Sequence, residues 1–328
     1  MGLGILKDRL LKRKTPLNVM FSITNRCNSH CQYCDIPSRK QRELTTKEVL
    51  SILDELADAG TQRISFWGGE PLLREDLDKI ITYSKKKGMY VNTDSNGYLV
   101  PQNIGLIKKL DLLILSLDGD EEAHDKNRQK GSYKKAMQAI KKTAGLVPVW
   151  TLTTLTKNNI NSIKPILENA RKYGFSTMFQ PLYHPPDISR NTDSLLASNE
   201  EYSAAFRYLL EEKRKGAPIA SSTAYLEYVS DWPDYSKSES ECKFKNVCCF
   251  AGKLFCNIDT NGDVYTCSPM IGRVKAANIL EMGFKKALNE AVKLNCESCI
   301  GAAASESNLV FSLKLKAILD WVKSTKNS

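Results

Sequence analysis

The 328-residue chain has no run of about 18 consecutive apolar residues, the length that a helix needs to cross a membrane. It also lacks the apolar core of a secretory signal peptide, because Leu10 and Leu11 are flanked by charged residues. Internal repeats and low-complexity tracts are absent too. Together these absences predict a cytoplasmic protein. In a reducing compartment, the ten cysteines are expected to be metal ligands or reactive thiols rather than disulfides.

The net charge of +10 is concentrated at the two ends of the chain. Residues 1–16 carry five Lys and Arg side chains against one Asp. No RNA- or DNA-binding motif accompanies this charge, so nucleic acid is an improbable partner. Three interpretations remain: contact with an anionic membrane surface, a docking face for an acidic electron-donor protein, or simply solvated helix faces.

Three cysteines, Cys27, Cys31 and Cys34, follow one another with the spacing C-x3-C-x2-C. A [4Fe–4S] cluster prefers four cysteine ligands, so a loop that supplies three leaves one iron open for chemistry. A zinc knuckle or three buried thiols are the alternatives, although zinc sites usually contain paired C-x2-C units.

Short apolar runs alternate with amphipathic segments between residues 16 and 181. The pattern predicts six β-strands joined by helices, and therefore a parallel sheet with right-handed crossovers that falls short of a closed eight-stranded barrel. The predicted strands are 17–24, 63–67, 89–93, 112–116, 148–154 and 176–181. The predicted helices are 45–59, 75–87, 101–110, 132–145, 159–173, 199–215, 280–294 and 308–323.

Two polar motifs follow directly after predicted strands, at the edge where parallel barrels carry their active residues. Gly68-Gly69-Glu70-Pro71 follows the second strand; its glycines allow close approach to the backbone, and its carboxylate can bind an ammonium group. Ser116-Leu117-Asp118-Gly119 follows the fourth strand and leads to Arg128.

The cysteine spacing and these motifs resemble the radical S-adenosylmethionine (radical SAM) superfamily, and in particular its SPASM/twitch-domain subgroup. The resemblance implies an α/β fold, a partial (β/α)6 TIM-like barrel, and a [4Fe–4S] cluster held by the three cysteines. It also implies reductive cleavage of SAM to a 5'-deoxyadenosyl radical, which abstracts a hydrogen atom from an organic substrate. An acidic flavodoxin or ferredoxin is the expected electron donor.

The same resemblance assigns the SAM-binding residues. Glu70 and the backbone of Gly68, Gly69 and Pro71 are expected to receive the methionine amine. Ser116 and Arg128 are expected to hold the carboxylate, since arginine offers it a planar fork. Tyr33 is expected near the adenine, or else as a core aromatic, and Asp118 either contacts the ribose or only forms a turn.

Seven of the ten cysteines lie between residues 242 and 299. Four of them resemble a twitch domain with one auxiliary [4Fe–4S] cluster: Cys249, Cys267, Cys296 and Cys299. Asn261-Gly262 predicts a β-hairpin that would bring the first two together. A four-cysteine zinc ribbon is the alternative.

The other three cysteines of this region stay open to several roles. Cys248 could replace Cys249 as a ligand. Each of Cys242, Cys248 and Cys256 could donate a hydrogen atom to a substrate radical or, more simply, be buried and inert.

The expected organisation has five parts: a basic segment (1–15), the partial-barrel core (16–181), an aromatic-rich insert (182–241), a small α+β twitch-like domain (242–308) and an amphipathic C-terminal helix (309–328). That helix is expected to pack on the protein through one face, or to lie on a membrane surface. The face comprises Phe311, Leu315, Ile318, Leu319 and Val322.

The reaction after hydrogen abstraction stays open between dehydrogenation, epimerisation and C–C or C–S bond formation. One alternative is a maturase of a ribosomal peptide or protein, although the short segment before the first strand predicts no fused peptide-recognition domain. A non-catalytic iron–sulfur carrier or zinc protein is the alternative of another class. Candidate substrate contacts are Gln180, Tyr183, His184, Asp187 and Tyr225, and candidate catalytic residues are His184, Cys248 and Tyr183.

Overall fold

Six parallel strands form the centre of the fold in the computed structural model, which describes residues 14–183 and 192–326. The strands are β1 (Asn18–Thr24), β2 (Arg63–Gly68), β3 (Tyr90–Ser95), β4 (Leu112–Ser116), β5 (Val149–Leu155) and β6 (Ser176–Pro181). The helices between and after them are α1 (Thr46–Asp58), α2 (Leu77–Lys86), α3 (Ile104–Ile107), α4 (Glu121–Asn127), α5 (Ser132–Thr143) and α6 (Ile163–Tyr173). The α/β partial barrel expected from the sequence is confirmed.

The second part of the chain contains short strands and helices. Two helices come first, α7 (Asn199–Arg214) and α8 (Thr223–Ser230). Five strands and two helices follow: β7 (Glu239–Ser240), β8 (Phe255–Ile258), β9 (Asp263–Tyr265), β10 (Ala277–Asn278), α9 (Ile279–Met282), α10 (Phe284–Glu290) and β11 (Ser298–Cys299). The last two helices are α11 (Ala302–Phe311) and α12 (Leu315–Lys326).

Nine strands share one sheet in the order β10-β9-β8-β1-β2-β3-β4-β5-β6. The hairpin β8–β9 forms as its Asn-Gly turn predicts, and β8 pairs in parallel with β1, which places Cys256 beside Val19. The cysteine-rich region is therefore hydrogen-bonded to the barrel's first strand, directly below the loop that carries Cys27.

Helix α1 illustrates how local sequence fixes one element of the barrel wall. Thr45 and Glu48 form a reciprocal capping box at its beginning. Apolar side chains then recur at helical spacing, and all four become buried: Val49, Ile52, Leu53 and Leu56. The observed bounds differ from the predicted helix 45–59 by one residue at each end.

Side chains alternate across each parallel strand, and the two faces of the sheet differ in character. Outward-facing residues such as Phe21, Phe66 and Val91 are completely buried under the helices. Inward-facing positions of β2 and β3 are polar instead, with Ser65, Asn92 and Asp94 among them. A polar interior does not fill the barrel as Val, Ile and Leu layers do. The barrel consequently encloses a cavity of about 770 Å³.

Two predicted helices are divided by residues with positive φ. The predicted helix 280–294 is broken at Gly283 (φ +77°), which separates α9 from α10. The predicted C-terminal helix is broken at Leu313 (φ +57°), between α11 and α12. Beyond this break Leu315 and Leu319 are 74% and 58% exposed, so these two residues do not continue the buried face to which Phe311 belongs. The Val322 side chain lies outside the part of the chain that the structure describes.

Three smaller differences are local. The predicted helix 101–110 is a 3-10 turn, Val100–Gln102, followed by the one-turn α3. Helices α4 and α8 were not expected from the sequence. In the described ranges, no helix combines the length and the apolar character that crossing a membrane requires.

Candidate active site

The loop that follows β1 brings Cys27, Cys31 and Cys34 together at the carboxyl end of the sheet. Burial is the main cause that raises the pKa of Cys34 to about 11, and the charges of Cys31 and Cys27 act in the same direction. Burial and the charges of Glu70 and Cys31 raise the pKa of Cys27. The thiols are therefore near enough to interact electrostatically. They would become good ligands only beside a cation that favours the thiolate.

Within the described ranges, no three or more Cys, His, Asp or Glu side chains are close enough to hold a single metal ion. Tetrahedral zinc draws all its sulfur ligands to about 2.3 Å, whereas a cubane distributes them over several irons. The donor set of three thiols on one loop thus fits a cluster better than a single ion.

The cysteine loop is fastened by residues outside it. The carboxylate of Glu43 accepts hydrogen bonds from the Thr24 hydroxyl and from the Asn25 amide. The Asn25 side chain donates to Thr260 Oγ1 at 3.1 Å, in the turn of the β8–β9 hairpin. The loop is therefore tied to the cysteine-rich region as well as to the barrel.

The end of β2 packs directly on this loop. The Gly69 amide donates to the Thr24 carbonyl, and the Glu70 amide donates to the Arg26 carbonyl, each at 2.8 Å. A Cβ at Gly68 would lie 2.2 Å from the Thr24 oxygen, and one at Gly69 would lie 2.1 Å from the Arg26 oxygen. The close approach that these two glycines permit is thus to the backbone of the cysteine loop.

The Glu70 carboxylate is completely buried between three hydrogen-bond donors. It accepts from the Leu72 amide, the Ser95 hydroxyl and the Asn96 amide, at 2.8–3.1 Å. Burial raises its pKa to about 7 despite these bonds. Ser95 and Asn96 therefore orient the Glu70 carboxylate. The side-chain nitrogen of Asn96 also lies 3.9 Å from Cys27 Sγ.

Tyr33, Asp118 and Arg128 form one network. The Tyr33 hydroxyl and Arg128 Nε both donate to Asp118 Oδ2 at 2.7 Å, and Arg128 Nη2 donates to the Tyr33 oxygen at 2.7 Å. Arg128 Nη1 reaches Cys31 Sγ at 3.5 Å. Asp118 is fully buried and also accepts from the Thr154 amide. Asp118 therefore orients both Tyr33 and Arg128 through its Oδ2.

Behind this network, the Asp118 amide donates to His124 Nδ1 at 3.0 Å. Burial lowers the pKa of His124 to about 4, so the imidazole is neutral at pH 7 and can accept this bond. Ser116 ends β4 beside the network and is partly exposed.

Cys249, Cys267, Cys296 and Cys299 line one small cavity. Burial, followed by the charge of Cys249, raises the pKa of Cys299 to about 12. Burial is also the main cause that raises the pKa of Cys296 to about 11. The four thiols thus form a second mutually interacting set.

The remaining cysteines differ from one another. Cys242 and Cys248 are exposed, so the role of buried inert thiol is wrong for them, and neither lines either cavity. Their role as hydrogen donors stays a prediction. Cys256 is buried inside β8, as the inert alternative requires.

The 770 Å³ cavity lies between the two sets of cysteines. Tyr33 and Cys34 line it on one side, and the Ser268–Met270 turn after Cys267 borders it on the other. Tyr183, Pro269 and Ala304 line both this cavity and the small one between the second set of thiols.

The candidate substrate residues have different outcomes. Gln180 and Tyr183 line the cavity; Tyr183 donates to Glu239 Oε2 at 2.9 Å. Tyr225 is completely buried in α8 and donates to the Ile300 carbonyl, so its prediction as a substrate contact is wrong. His184 and Asp187 lie outside the described residues.

Sequence reasoning missed the polar residues on the inner face of the barrel, including Arg63, Asn92 and Asp94. The available signal was their period of two, since polar residues at alternate positions of an otherwise apolar parallel strand face the barrel interior.

Comparison with known proteins agrees with this geometry. The model of the Radical SAM superfamily matches residues 21–170. The PqqA peptide cyclase of Granulibacter bethesdensis is 30% identical over 267 residues, which are 77% of this chain and 67% of that enzyme. The chain belongs to the radical SAM superfamily.

Further relatives place this radical SAM protein in the SPASM/twitch subgroup. The sporulation killing factor maturation protein SkfB of Bacillus subtilis is 25% identical over 317 residues, or 92% of this chain and 73% of that protein. The crystal structure of Streptococcus suis SuiB bound to S-adenosylmethionine shares the fold, with a TM-score of 0.69 at 14% identity over 86% of this chain and 67% of SuiB.

The protein is accordingly a radical SAM enzyme, which sets aside the non-catalytic carrier and the zinc protein. Its cofactors are a [4Fe–4S] cluster, SAM and an auxiliary cluster. When bound, the first two supply a 5'-deoxyadenosyl radical that removes a hydrogen atom from an organic substrate.

Proposed function

We propose that this radical SAM enzyme modifies a peptide whose reacting side chain enters the barrel cavity between two clusters. Cys27, Cys31 and Cys34 would hold the SAM-binding cluster. Cys249, Cys267, Cys296 and Cys299 would hold the auxiliary one. The observation that carries the proposal is the position of the 770 Å³ cavity, which touches the loop of the first set and shares a wall with the second.

The residues around the first set fit a SAM site. Asn96 lies 3.9 Å from Cys27 Sγ, and the charge of Glu70 acts on the same thiol. Arg128 lies 3.5 Å from Cys31 Sγ, so an ammonium acceptor and a carboxylate donor both adjoin the cysteine loop. Ser116 and Tyr33 lie on the same side as Arg128. Ser116 ends β4 two residues before Asp118, and the Tyr33 hydroxyl donates to Asp118. Gly68, Gly69 and Pro71 act by fixing the backbone on which Glu70 sits.

The short separation between the cavity and the second set of cysteines favours oxidation of the bound substrate by a cluster at that set. After a hydrogen atom has left the substrate, completing a bond or a double bond requires the loss of one more electron and one proton. In the described part of the chain, three residues line both cavities, Tyr183, Pro269 and Ala304, so the auxiliary site lies within one side chain of the bound substrate.

Peptide is favoured as the substrate class by two kinds of support. Several relatives are named for peptide modification, PqqA peptide cyclase and the SkfB maturation protein among them. The cavity volume also lies at the upper end of the range for small-ligand sites. A large apolar or polar side chain with its flanking backbone would fill it.

The electron donor is proposed to be an acidic flavodoxin or ferredoxin that docks beside the cysteine loop. Lys40 and Arg42 are exposed immediately after this loop, although Arg42 also pairs with Glu48 at 2.9 Å. Positive charge next to a buried redox centre steers an anionic partner at low salt.

The test uses anaerobically reconstituted protein, dithionite and SAM. Peptides encoded beside the gene would be synthesised with deuterated side chains. The proposal predicts 5'-deoxyadenosine that carries deuterium, and a peptide that is three mass units lighter after losing one deuterium and one proton. Cys31→Ala should abolish both products, whereas the matched control Cys256→Ala should retain them. If 5'-deoxyadenosine forms but none of the tested peptides transfers deuterium to it, the peptide assignment is contradicted.

A further inference from the structure

The floor of the barrel cavity carries a cationic side chain that the SAM and cluster sites do not use. Arg63 is the first residue of β2, and its guanidinium lines the cavity. Parallel strands rise about 3.3 Å per residue, so Arg63 lies about 16 Å below Gly68 at the opposite end of the strand. It is therefore remote from the Cys27–Cys31–Cys34 loop along the barrel axis.

The Arg63 guanidinium is held rigidly along one edge. Its Nε donates to Asn92 Oδ1 at 2.9 Å, and Asn92 in turn donates to Ser65 Oγ at 2.6 Å. Its central carbon lies 5.4 Å from the centre of the Tyr90 ring. These contacts fix the plane of the fork before any ligand arrives, which reduces the entropy lost on binding.

The other edge of the fork faces the cavity. Among the described residues, no carboxylate lies within 4.0 Å of the Arg63 guanidinium, and its two terminal nitrogens have no hydrogen-bond acceptor. Asp94 lies two residues beyond Asn92 on β3 and accepts a long hydrogen bond of 3.5 Å from Asn92 Nδ2. Asp94 interacts electrostatically with Arg63 without forming an ion pair, so an anion in contact with the free N–H groups would stabilise the guanidinium further.

We propose that Arg63 binds a carboxylate of the substrate at the floor of the barrel. The free edge presents two parallel N–H donors, the geometry that a carboxylate accepts in bidentate fashion. The substrate would then extend upward for about 10–16 Å before reaching the SAM end of the strands. The proposal deepens the proposed function, because it states which chemical group a substrate must carry and how far from the reacting carbon.

Two kinds of substrate can offer this group, an acidic side chain or a free peptide C-terminus. The probe for the shared chemistry is octanoate, a linear carboxylate long enough to span much of the barrel. Its neutral isostere is octanamide. Binding is measured by isothermal titration and by saturation-transfer NMR on the cluster-loaded enzyme, without SAM or reductant, so that radical chemistry plays no part.

The expected result is millimolar binding of octanoate and at least tenfold weaker binding of octanamide. Arg63→Met should weaken the binding of octanoate at least tenfold. The affinity of Arg63→Lys for octanoate should lie between those of the wild type and Arg63→Met, since lysine keeps the charge without the planar fork. The matched control is Arg171→Met, which removes an arginine from the surface, where it pairs with Glu212. Circular dichroism of each variant establishes that it is folded.

Two short peptides then separate the sources of the carboxylate. One is amidated and contains a single glutamate; the other has a free C-terminus and no acidic side chain. Binding of either that depends on Arg63 supports the proposal and assigns the source. Octanoate binding that survives in Arg63→Met, or equal binding of octanamide, overturns it. Failure of the 5'-deoxyadenosine assay with intact octanoate binding would instead reject the proposed peptide chemistry.

Discussion

Replacing Gly69 by alanine tests the packing of β2 on the cysteine loop. The new Cβ would lie 2.1 Å from the Arg26 carbonyl oxygen and 2.8 Å from that of Asn25. Ordinary contacts are 3.4 Å or longer, so the loop must move by about 1.3 Å, the difference between the two distances. Both obstacles are backbone atoms, so no side chain can relieve the clash by rotating.

That movement would break the bond of 2.8 Å between the Glu70 amide and the Arg26 carbonyl. An unsatisfied buried group costs about 1–3 kcal/mol, and overpacking costs a similar amount. Gly69→Ala should therefore lower the free energy of unfolding by about 2–6 kcal/mol and displace Cys27. The variant should bind less iron, and its EPR spectrum should no longer respond to SAM.

The assays are urea unfolding followed by circular dichroism, iron content per chain, and EPR with and without SAM. The matched control is Gly105→Ala in α3, where a Cβ meets nothing within 4 Å. Alanine is the better helix former there, so the control should be neutral or more stable by about 0.5–1 kcal/mol. A change below about 0.5 kcal/mol in Gly69→Ala, with the SAM response intact, would refute the packing argument.

Three further predictions concern other residues. Cys267→Ala should reduce iron from about eight to about four per chain, while Cys256→Ala should leave it unchanged; equal iron in both variants would exclude Cys267 as a ligand. Tyr33→Phe removes the hydroxyl that bridges Asp118 and Arg128. The variant should have a KM for SAM about tenfold higher, with a smaller effect on kcat. An unchanged KM would place the network outside the SAM site. Burial raises the pKa of Asp94 from 3.8 to about 7, so its contribution to stability is fully present below about pH 4 and is lost between about pH 4 and pH 7. Asp94→Asn should therefore gain about 3 kcal/mol over the wild type between pH 4 and pH 7 in urea unfolding, and parallel stability curves would contradict this.

The elements that the sequence predicted well are those whose signals are local. Helix α1 has a capping box and a regular apolar stripe, and the β8–β9 hairpin has an Asn-Gly turn. The break at Leu313 carries no such signal, because a leucine with positive φ has no sequence signature. An uninterrupted helix was therefore the natural but incorrect expectation for residues 308–323.

The candidate site shows the same division. Cys27, Cys31 and Cys34 are neighbours in sequence, so their proximity could be predicted from spacing. The bond between Asn25 and Thr260 joins residues 235 positions apart and depends on β8 pairing with β1. Such non-local pairings follow from tertiary packing, which a single sequence does not display.

The most direct test of the account is EPR of the dithionite-reduced enzyme in which Cys267 and Cys299 are both alanine. This variant should keep only the cluster of the Cys27–Cys31–Cys34 loop. The account predicts one [4Fe–4S] signal whose g-values shift when SAM is added, because one iron is left open to bind it. A signal of the same shape with and without SAM would contradict the central claim.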